Sequence, residues 1–172
     1  MSGCSAGDEP PRPRCLADSP AQMARPAATR RGIEVVDAGQ SATFTRTVTD
    51  EEVARYARVS GDDNALHVDD GFARGTRFGA RIAHGALLVG YMSAAFTAYC
   101  RRWLAGRTTQ IAISYGYDRI RFVRPTYLGD TLVTEHRIVE VNPAEDKAFA
   151  DVTCTNQRGD LVAVARHVVK FV

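Results

Sequence analysis

An apolar stretch at residues 85–104, GALLVGYMSAAFTAYCRRWL, has the sequence repeat of a long helix. Its large apolar side chains recur every three to four residues, which is the period of an α-helix. Small residues lie between them, so we expect a helix that is buried almost all round and that other elements approach closely. His84 at its start and the Arg101-Arg102 pair near its end favour a core helix over a membrane span.

The residues after this helix supply a cover for it. Hydrophobic and polar residues alternate there at period 2, which predicts four strands. The four segments are residues 111–122, 131–141, 147–156 and 161–171. The alternation slips by one residue near Asp118-Arg119, which predicts a β-bulge. Short turns join antiparallel neighbours, so we expect an α+β fold in which an antiparallel sheet wraps around the central helix.

A strand and a short helix precede the central helix. Residues 42–48 alternate weakly and predict a strand. Thr49 and Glu52 have the spacing of a capping box, so we expect a helix over residues 50–59. The polar residues 60–64 end it, because Ser, Gly, Asp and Asn favour turns.

The N-terminal 31 residues differ in composition from the rest. They contain five of the seven prolines and show no periodicity, so we predict a disordered extension over residues 1–31 and a single domain over 32–172. The extension holds five arginines against three acidic residues, which accounts for the net charge of +2. The domain itself is balanced in charge. A nucleic-acid partner is therefore not expected, since phosphate backbones attract clustered basic charge.

The cysteines and the termini give information about the compartment and about metals. Cys4, Cys15, Cys100 and Cys154 are scattered, without the spacing of a zinc site. We expect free thiols, no metal and a reducing, cytoplasmic location. No membrane association is expected either, because the N-terminus has no apolar signal region.

Residues 60–67, SGDDNALH, are the first candidate for chemistry. Asp62 and His67 are five residues apart around a turn, so both side chains can converge on one water molecule. Histidine exchanges protons near neutral pH and a carboxylate orients its partner. Asn64 and Ser60 could brace the loop or bind substrate. The pattern alone also fits a turn in which Asp62 and Asn64 cap local amides and His67 only packs.

The start of the central helix is the second candidate. Gly85 opens the helix, and the first N–H groups of a helix have no intrahelical partner. Such amides can stabilise a developing oxyanion on a thioester. Taken by themselves, Gly85 and His84 also fit a close-packed helix start without a chemical role.

These two segments together resemble the MaoC-like, (R)-specific enoyl-CoA hydratase family. The family pattern is Ser/Gly-x-Asp-x-Asn-Pro-x-His followed by a His-Gly pair at the start of the central helix, and residues 60–67 and His84-Gly85 match it. The segment from Tyr117 to Asp130 is also similar, and the resemblance covers residues 33–172. One departure is Ala65, where the family has proline. Alanine leaves the turn less rigid than proline would.

The resemblance implies a hot-dog fold and a homodimer or higher homo-oligomer. It implies that Asp62 and His67 activate the water added to C3 of a 2-enoyl thioester and return a proton to C2. The Gly85 amide would polarise the thioester carbonyl, with Asn64, Ser60 and His84 as substrate-binding or supporting residues. The substrate would be an acyl-CoA or an acyl-carrier protein, and no separate cofactor is implied, because coenzyme A is part of the substrate.

Other polar residues receive weaker assignments. Arg119, Arg121 and Arg124 could contact coenzyme A phosphates, since arginine binds phosphate through two donors; they also fit the exposed ends of an edge strand. His136 and His167 are expected to be structural histidines. Neither Ser60 nor Ser114 has a histidine at a spacing that suggests a serine triad.

Three classes of function therefore remain. The first is an enoyl-thioester hydratase or 3-hydroxyacyl-thioester dehydratase. The second is a hot-dog thioesterase, in which water attacks the thioester carbonyl. The third is a non-catalytic acyl-thioester-binding subunit. The presence of both Asp62 and His67 favours the hydratase, because a binding subunit needs neither.

Overall fold

A computed structural model describes residues 30–172 of the chain. The predicted extension over residues 1–31 lies outside the described residues, except for Arg30 and Arg31. These two residues contact the domain: the Thr108 hydroxyl donates to the Arg30 carbonyl, and the Arg31 guanidinium lies 2.6 Å from the Asp146 carboxylate.

The order of elements follows the predicted order. The elements are a 3₁₀ helix Gly32–Val35, β1 Ser41–Thr47, α1 Asp50–Ser60, α2 Ala65–Val68, α3 Asp70–Arg74, α4 Gly85–Tyr99, a π-helical turn Cys100–Leu104, β2 Ala112–Phe122, β3 Thr131–Asn142, β4 Lys147–Thr155 and β5 Leu161–Phe171. The predicted helix over 85–104 is thus α4 continued by the π-helical turn. Among residues 30–172, no helix is both long and apolar enough to cross a membrane.

Helix α1 begins and ends at the predicted signals. The Thr49 hydroxyl accepts from the Glu52 N–H, and the Glu52 carboxylate accepts from the Thr49 N–H, so the capping box is confirmed. Gly61 ends the helix with a φ of 78°, a left-handed conformation that glycine adopts without a steric penalty. The chain can therefore turn sharply into the loop that carries Asp62.

The five strands form one antiparallel sheet in the order β1-β3-β4-β5-β2. The hairpins β3–β4 and β4–β5 agree with the prediction from short turns. Consecutive strands were expected to pair, and this expectation was wrong for β2 and β3, because residues 123–130 carry the chain across to the far side of the sheet. Strand β2 consequently pairs with β5 and forms an edge. Its pairing with β5 shifts between Asp118 and Arg121, which confirms the bulge predicted near Asp118-Arg119.

Helix α4 packs against one face of this sheet. The buried side of the helix carries large side chains at helical spacing: Leu88, Tyr91, Met92, Ala95, Phe96 and Tyr99. The opposite side is exposed at Ala86, Gly90, Ser93 and Thr97. The expectation that the helix is buried almost all round was therefore wrong in the single chain. Its small residues form the outward side, and a Cβ at Gly90 would meet no atom within 4 Å.

Candidate active site

The loop between α1 and α2 is held by hydrogen bonds within its own segment. The Ser60 hydroxyl donates to the Tyr56 carbonyl at 2.7 Å and accepts from the Asp62 N–H at 3.2 Å. Ser60 thus braces the turn, and both of its hydrogen bonds are made to the main chain. One oxygen of the exposed Asp62 carboxylate accepts from the Asn64 N–H at 3.5 Å, as in the turn that the sequence also allowed, and the other oxygen can hold a water molecule.

Asn64 caps the short helix that carries His67. Its side-chain oxygen accepts from the Leu66 N–H at 3.0 Å, and its carbonyl accepts from the His67 N–H at 2.8 Å. Ala65 is the first residue of this helix, a position at which proline is well tolerated. The turn keeps its shape without proline because the Asn64 cap supplies the constraint.

The His67 ring has one committed nitrogen and one free nitrogen. Its Nδ1 lies 2.8 Å from the Ile82 carbonyl. A carbonyl only accepts, so Nδ1 carries the hydrogen and Nε2 keeps its lone pair in the neutral ring. The half-buried His67 is therefore fixed in the tautomer that can take a proton through Nε2.

His84 lies between the loop and the central helix. Its Nε2–H donates to the Asp62 carbonyl at 2.9 Å, and its ring centroid lies 3.9 Å from that of His67. Burial lowers the pKa of the His84 imidazole; the Asp62 carbonyl raises it, and a charge on His67 lowers it again. His84 is only 1% exposed, so the neutral imidazole is favoured.

Asp62, His67 and His84 offer one ligand-type atom each within 4.8 Å of one another. A metal ion would have to lie in the plane of each imidazole, about 2 Å from its nitrogen. The two ring planes are only 30° apart and their centroids are 3.9 Å apart. Two ring planes that are so nearly parallel do not intersect at a point about 2 Å from a nitrogen of each ring. The cluster therefore suits proton transfer better than metal binding.

Gly85 opens α4 directly after His84. The His84 side chain makes no capping hydrogen bond to the helix, so the first amides of α4 are not satisfied by a cap. A Cβ at Gly85 would lie 2.5 Å from a ring carbon of Phe122. Only glycine fits beneath that ring, and its N–H is left as a donor beside the acid/base residues.

A cavity of about 250 Å³ adjoins these residues. His67 and Gly85 lie on its wall, and most of the remaining wall is apolar, including Phe78, Leu88 and Phe122. A larger open depression of about 670 Å³ lies on the outer face of the sheet. It contains none of the acid/base residues, so the smaller cavity is the candidate substrate site.

The three arginines suggested as contacts for coenzyme A phosphates lie in different places. Arg124 lines the smaller cavity, whereas Arg119 lines the depression on the outer face of the sheet. Arg121 donates to the neighbouring Ile120 carbonyl. Arg77, which the sequence reasoning missed, lines the cavity with Arg124 and lies over the Phe78 ring. No local pattern marks Arg77, because only the fold brings residues 77 and 124 to one cavity.

The connection 123–130 supports the segment that leads into Gly85. The Ala83 N–H donates to the Thr126 carbonyl at 2.8 Å, and the Tyr127 hydroxyl donates to the Phe78 carbonyl at 3.1 Å. The buried Asp130 carboxylate accepts from the Tyr127 N–H at 2.9 Å. The sequence patterns did not predict that residues 123–130 support the start of α4, because the hydrogen-bonded residues are far apart along the chain.

His136 and His167 lie in the core, away from this site. Both rings are fully buried; they share a hydrogen bond of 2.9 Å, and His167 Nε2 lies 2.8 Å from the Ser114 hydroxyl. No spacing along the chain predicts a contact between Ser114 and a histidine, but the fold brings Ser114 next to His167. Burial lowers the pKa of His167 to about 3, which makes it a poor base for activating a serine. We therefore interpret the pair as structural, as predicted.

Comparison with known proteins finds related sequences and related folds. Residues 34–158 match the family model of the MaoC like domain. An (R)-specific enoyl-CoA hydratase of Aeromonas caviae is 31% identical over 138 residues, covering 79% of this chain and 96% of that protein. An (R)-specific enoyl-CoA hydratase of Rhodospirillum rubrum is 30% identical over 122 residues, covering 71% and 79%. The unliganded R-hydratase PhaJ1 from Pseudomonas aeruginosa has a TM-score of 0.69 at 29% identity, covering 81% of this chain and 84% of that chain. The hot-dog fold is confirmed.

Proposed function

This chain belongs to the MaoC like domain family, and from that premise we propose that it is an enoyl-thioester hydratase that also catalyses the reverse dehydration of (3R)-3-hydroxyacyl thioesters. One observation carries the proposal: Asp62 and His67 offer polar atoms within 4.8 Å of each other, and His67 shares a cavity wall with Gly85, whose helix has no side-chain cap. Hydration of a conjugated thioester needs a base for water and a donor for the carbonyl oxygen, and these groups supply both.

In the hydration direction, a water molecule held between the Asp62 carboxylate and His67 Nε2 attacks C3. Nε2 takes a proton from this water, and negative charge moves to the thioester oxygen, where the Gly85 N–H stabilises it. The proton then passes from Nε2 to C2 on the same face, which completes the addition of water. Dehydration follows the same steps in reverse. A positioned base contributes roughly 10²–10⁴-fold to such a rate.

Two arginines and two cysteines bear on the substrate and on the compartment. Arg77 and Arg124 lie beside the cavity. Their guanidinium groups support an acyl-CoA or acyl-carrier substrate, because each of these two substrates carries phosphate on the arm that ends in the thioester. The proposed steps use only proton transfer and hydrogen bonds, so we propose no cofactor beyond the coenzyme A of the substrate. Cys100 and Cys154 are free, which supports a reducing, cytoplasmic location.

The direct test uses 2-enoyl-CoA thioesters of different chain length and branching. We expect the protein to remove the absorbance of the conjugated enoyl group and to form the (3R)-3-hydroxyacyl-CoA, because water is directed to C3. Free coenzyme A is measured in parallel with a thiol reagent. Release of free thiol faster than hydration would replace this proposal with a thioesterase. Binding of every acyl-CoA without turnover would replace it with a binding subunit.

We also propose that two copies of the chain assemble through the edge strand β2. This strand exposes Ile113 and Tyr115, at 37% and 63%, and its outer edge has no partner strand within residues 30–172. An unpaired apolar edge strand readily pairs with a second chain. Light scattering after size-exclusion chromatography is expected to give a dimer or larger assembly of the 18.8 kDa chain.

A matched pair of variants locates this interface. Ile113→Lys combined with Tyr115→Lys places charge along β2 and is expected to give monomers, because edge lysines oppose strand pairing. Thr43→Lys combined with Thr45→Lys places the same charge on exposed positions of β1, the opposite edge of the sheet, and is expected to leave the assembly intact. A wild-type protein that sediments as a monomer would contradict the proposed pairing.

A further inference from the structure

His84 contacts both members of the candidate acid/base pair, Asp62 and His67. Its Nε2–H donates to the Asp62 carbonyl at 2.9 Å. Its ring centroid lies 3.9 Å from that of His67 and 4.8 Å from that of Tyr56. The next residue in the chain is Gly85. The side chain is buried, so these contacts are made in a fixed position.

We propose that His84 is a positioning residue that sets the separation between the acid Asp62 and the base His67. It holds Asp62 through the main chain and supports His67 through the face of the ring. The inference rests on the proposed hydratase function and goes beyond it, because it assigns the geometry of the acid/base pair to a third side chain that does not touch the reacting atoms.

The hydrogen bond to the main chain is central to this role. The other hydrogen bonds described for residues 60–64 are local, from Ser60, Asp62 and Asn64 to atoms within a few positions along the chain. The bond from His84 crosses 22 positions and ties the exposed loop to the buried start of α4. It uses the Asp62 carbonyl, so the carboxylate oxygen that does not accept from the Asn64 N–H can still hold water.

The stacked ring has a second consequence for proton transfer. Two imidazolium rings at this separation would repel each other strongly. The groups facing His84 are Asp62 from the loop, His67 from α2 and Tyr56 from α1. Because His84 is buried and its Nε2–H is committed to a carbonyl, the reaction proton resides on His67. His84 thus acts through His67 and Asp62 and is not itself a catalytic residue.

The test compares two replacements of His84 with opposite properties. His84→Phe keeps an aromatic ring beside His67 but loses the donor to Asp62. His84→Gln keeps a donor near the position of Nε2 but loses the ring. We expect His84→Phe to lower kcat about 100-fold, because small displacements of catalytic groups cost about this much, while KM changes less than about three-fold. His84→Gln is expected to recover about ten-fold of that loss.

Hydrogen exchange of the loop gives a readout that does not depend on activity. We expect the amides of residues 61–64 to exchange about ten-fold faster in His84→Phe than in the wild type and at nearly the wild-type rate in His84→Gln, because only the former releases the loop. Unchanged kcat and unchanged loop exchange in a folded His84→Phe protein would overturn the proposal. Changed exchange in a protein that hydrates no enoyl-CoA would leave the positioning role standing and reject the hydratase function.

Discussion

Replacement of His67 by Gln is expected to lower kcat for enoyl-CoA hydration by about 10³-fold, with little change in the folded structure. Glutamine places its amide near the position of Nε2, where it cannot take a proton from water, and it loses the Nδ1 donor to the Ile82 carbonyl. Asp62→Asn is expected to have an effect of similar size, because an amide no longer provides the negative charge that orients the water. The measurement is the rate at which enoyl absorbance disappears.

The loop provides a matched control for this prediction. Asp63 is the adjacent acid and is also exposed, but it has no part in the proposed chemistry. Asp63→Asn removes the same charge from the same loop and is expected to stay within about two-fold of the wild-type rate, as surface substitutions usually do. A folded double variant Asp62→Asn/His67→Gln with wild-type activity would refute the assignment of the pair.

Acidification is expected to destabilise the domain through its two core histidines. Burial lowers the pKa of His136 to about 4, and burial together with the proximity of His136 lowers the pKa of His167 to about 3. The unfolded chain binds protons at these histidines near pH 6.5, whereas the folded protein does not. Stability is therefore full above the unfolded pKa and is lost as the pH falls. From pH 7 to pH 5 the free energy of unfolding should decrease by roughly 2–4 kcal/mol for the pair.

Urea unfolding at a series of pH values measures this loss. The variant His136→Leu/His167→Leu, in which neither side chain titrates, is expected to show a smaller decrease over the same range. Since that variant removes a buried hydrogen bond and could fold poorly, the ring resonances of the wild type provide an independent check. They are expected to show no titration between pH 7 and pH 5. Titration of either ring near pH 6.5 would contradict the prediction.

Local signals in the sequence were sufficient for most of the elements. The capping box at Thr49 and Glu52, the turn at residues 60–64 and the slip near Asp118 are each determined by neighbouring residues, and all three are present in the structure. Asp62, His67 and Gly85 were also candidates from the sequence, because the polar loop and the start of the helix are each indicated by local residue types.

Long-range contacts were not predictable in the same way. The bond from His84 to the Asp62 carbonyl and the bond from Ala83 to the Thr126 carbonyl join segments whose separation has no periodic signature. The position of β2 at the sheet edge also depends on the whole topology. The exposure of the small residues of α4 was not predictable either, because a run of small residues fits both a closely packed side of a helix and an exposed side.

The connection 123–130 also determines when the site can form during synthesis of the protein. The carbonyl that orients His67 belongs to Ile82, and Ile82 pairs with Tyr127 in an isolated antiparallel bridge. Asp62, His67 and Gly85 leave the ribosome well before Tyr127. The nascent chain therefore carries the proposed catalytic groups for some time without the contact that aligns them. It becomes competent only after a segment with no catalytic group of its own has emerged and docked.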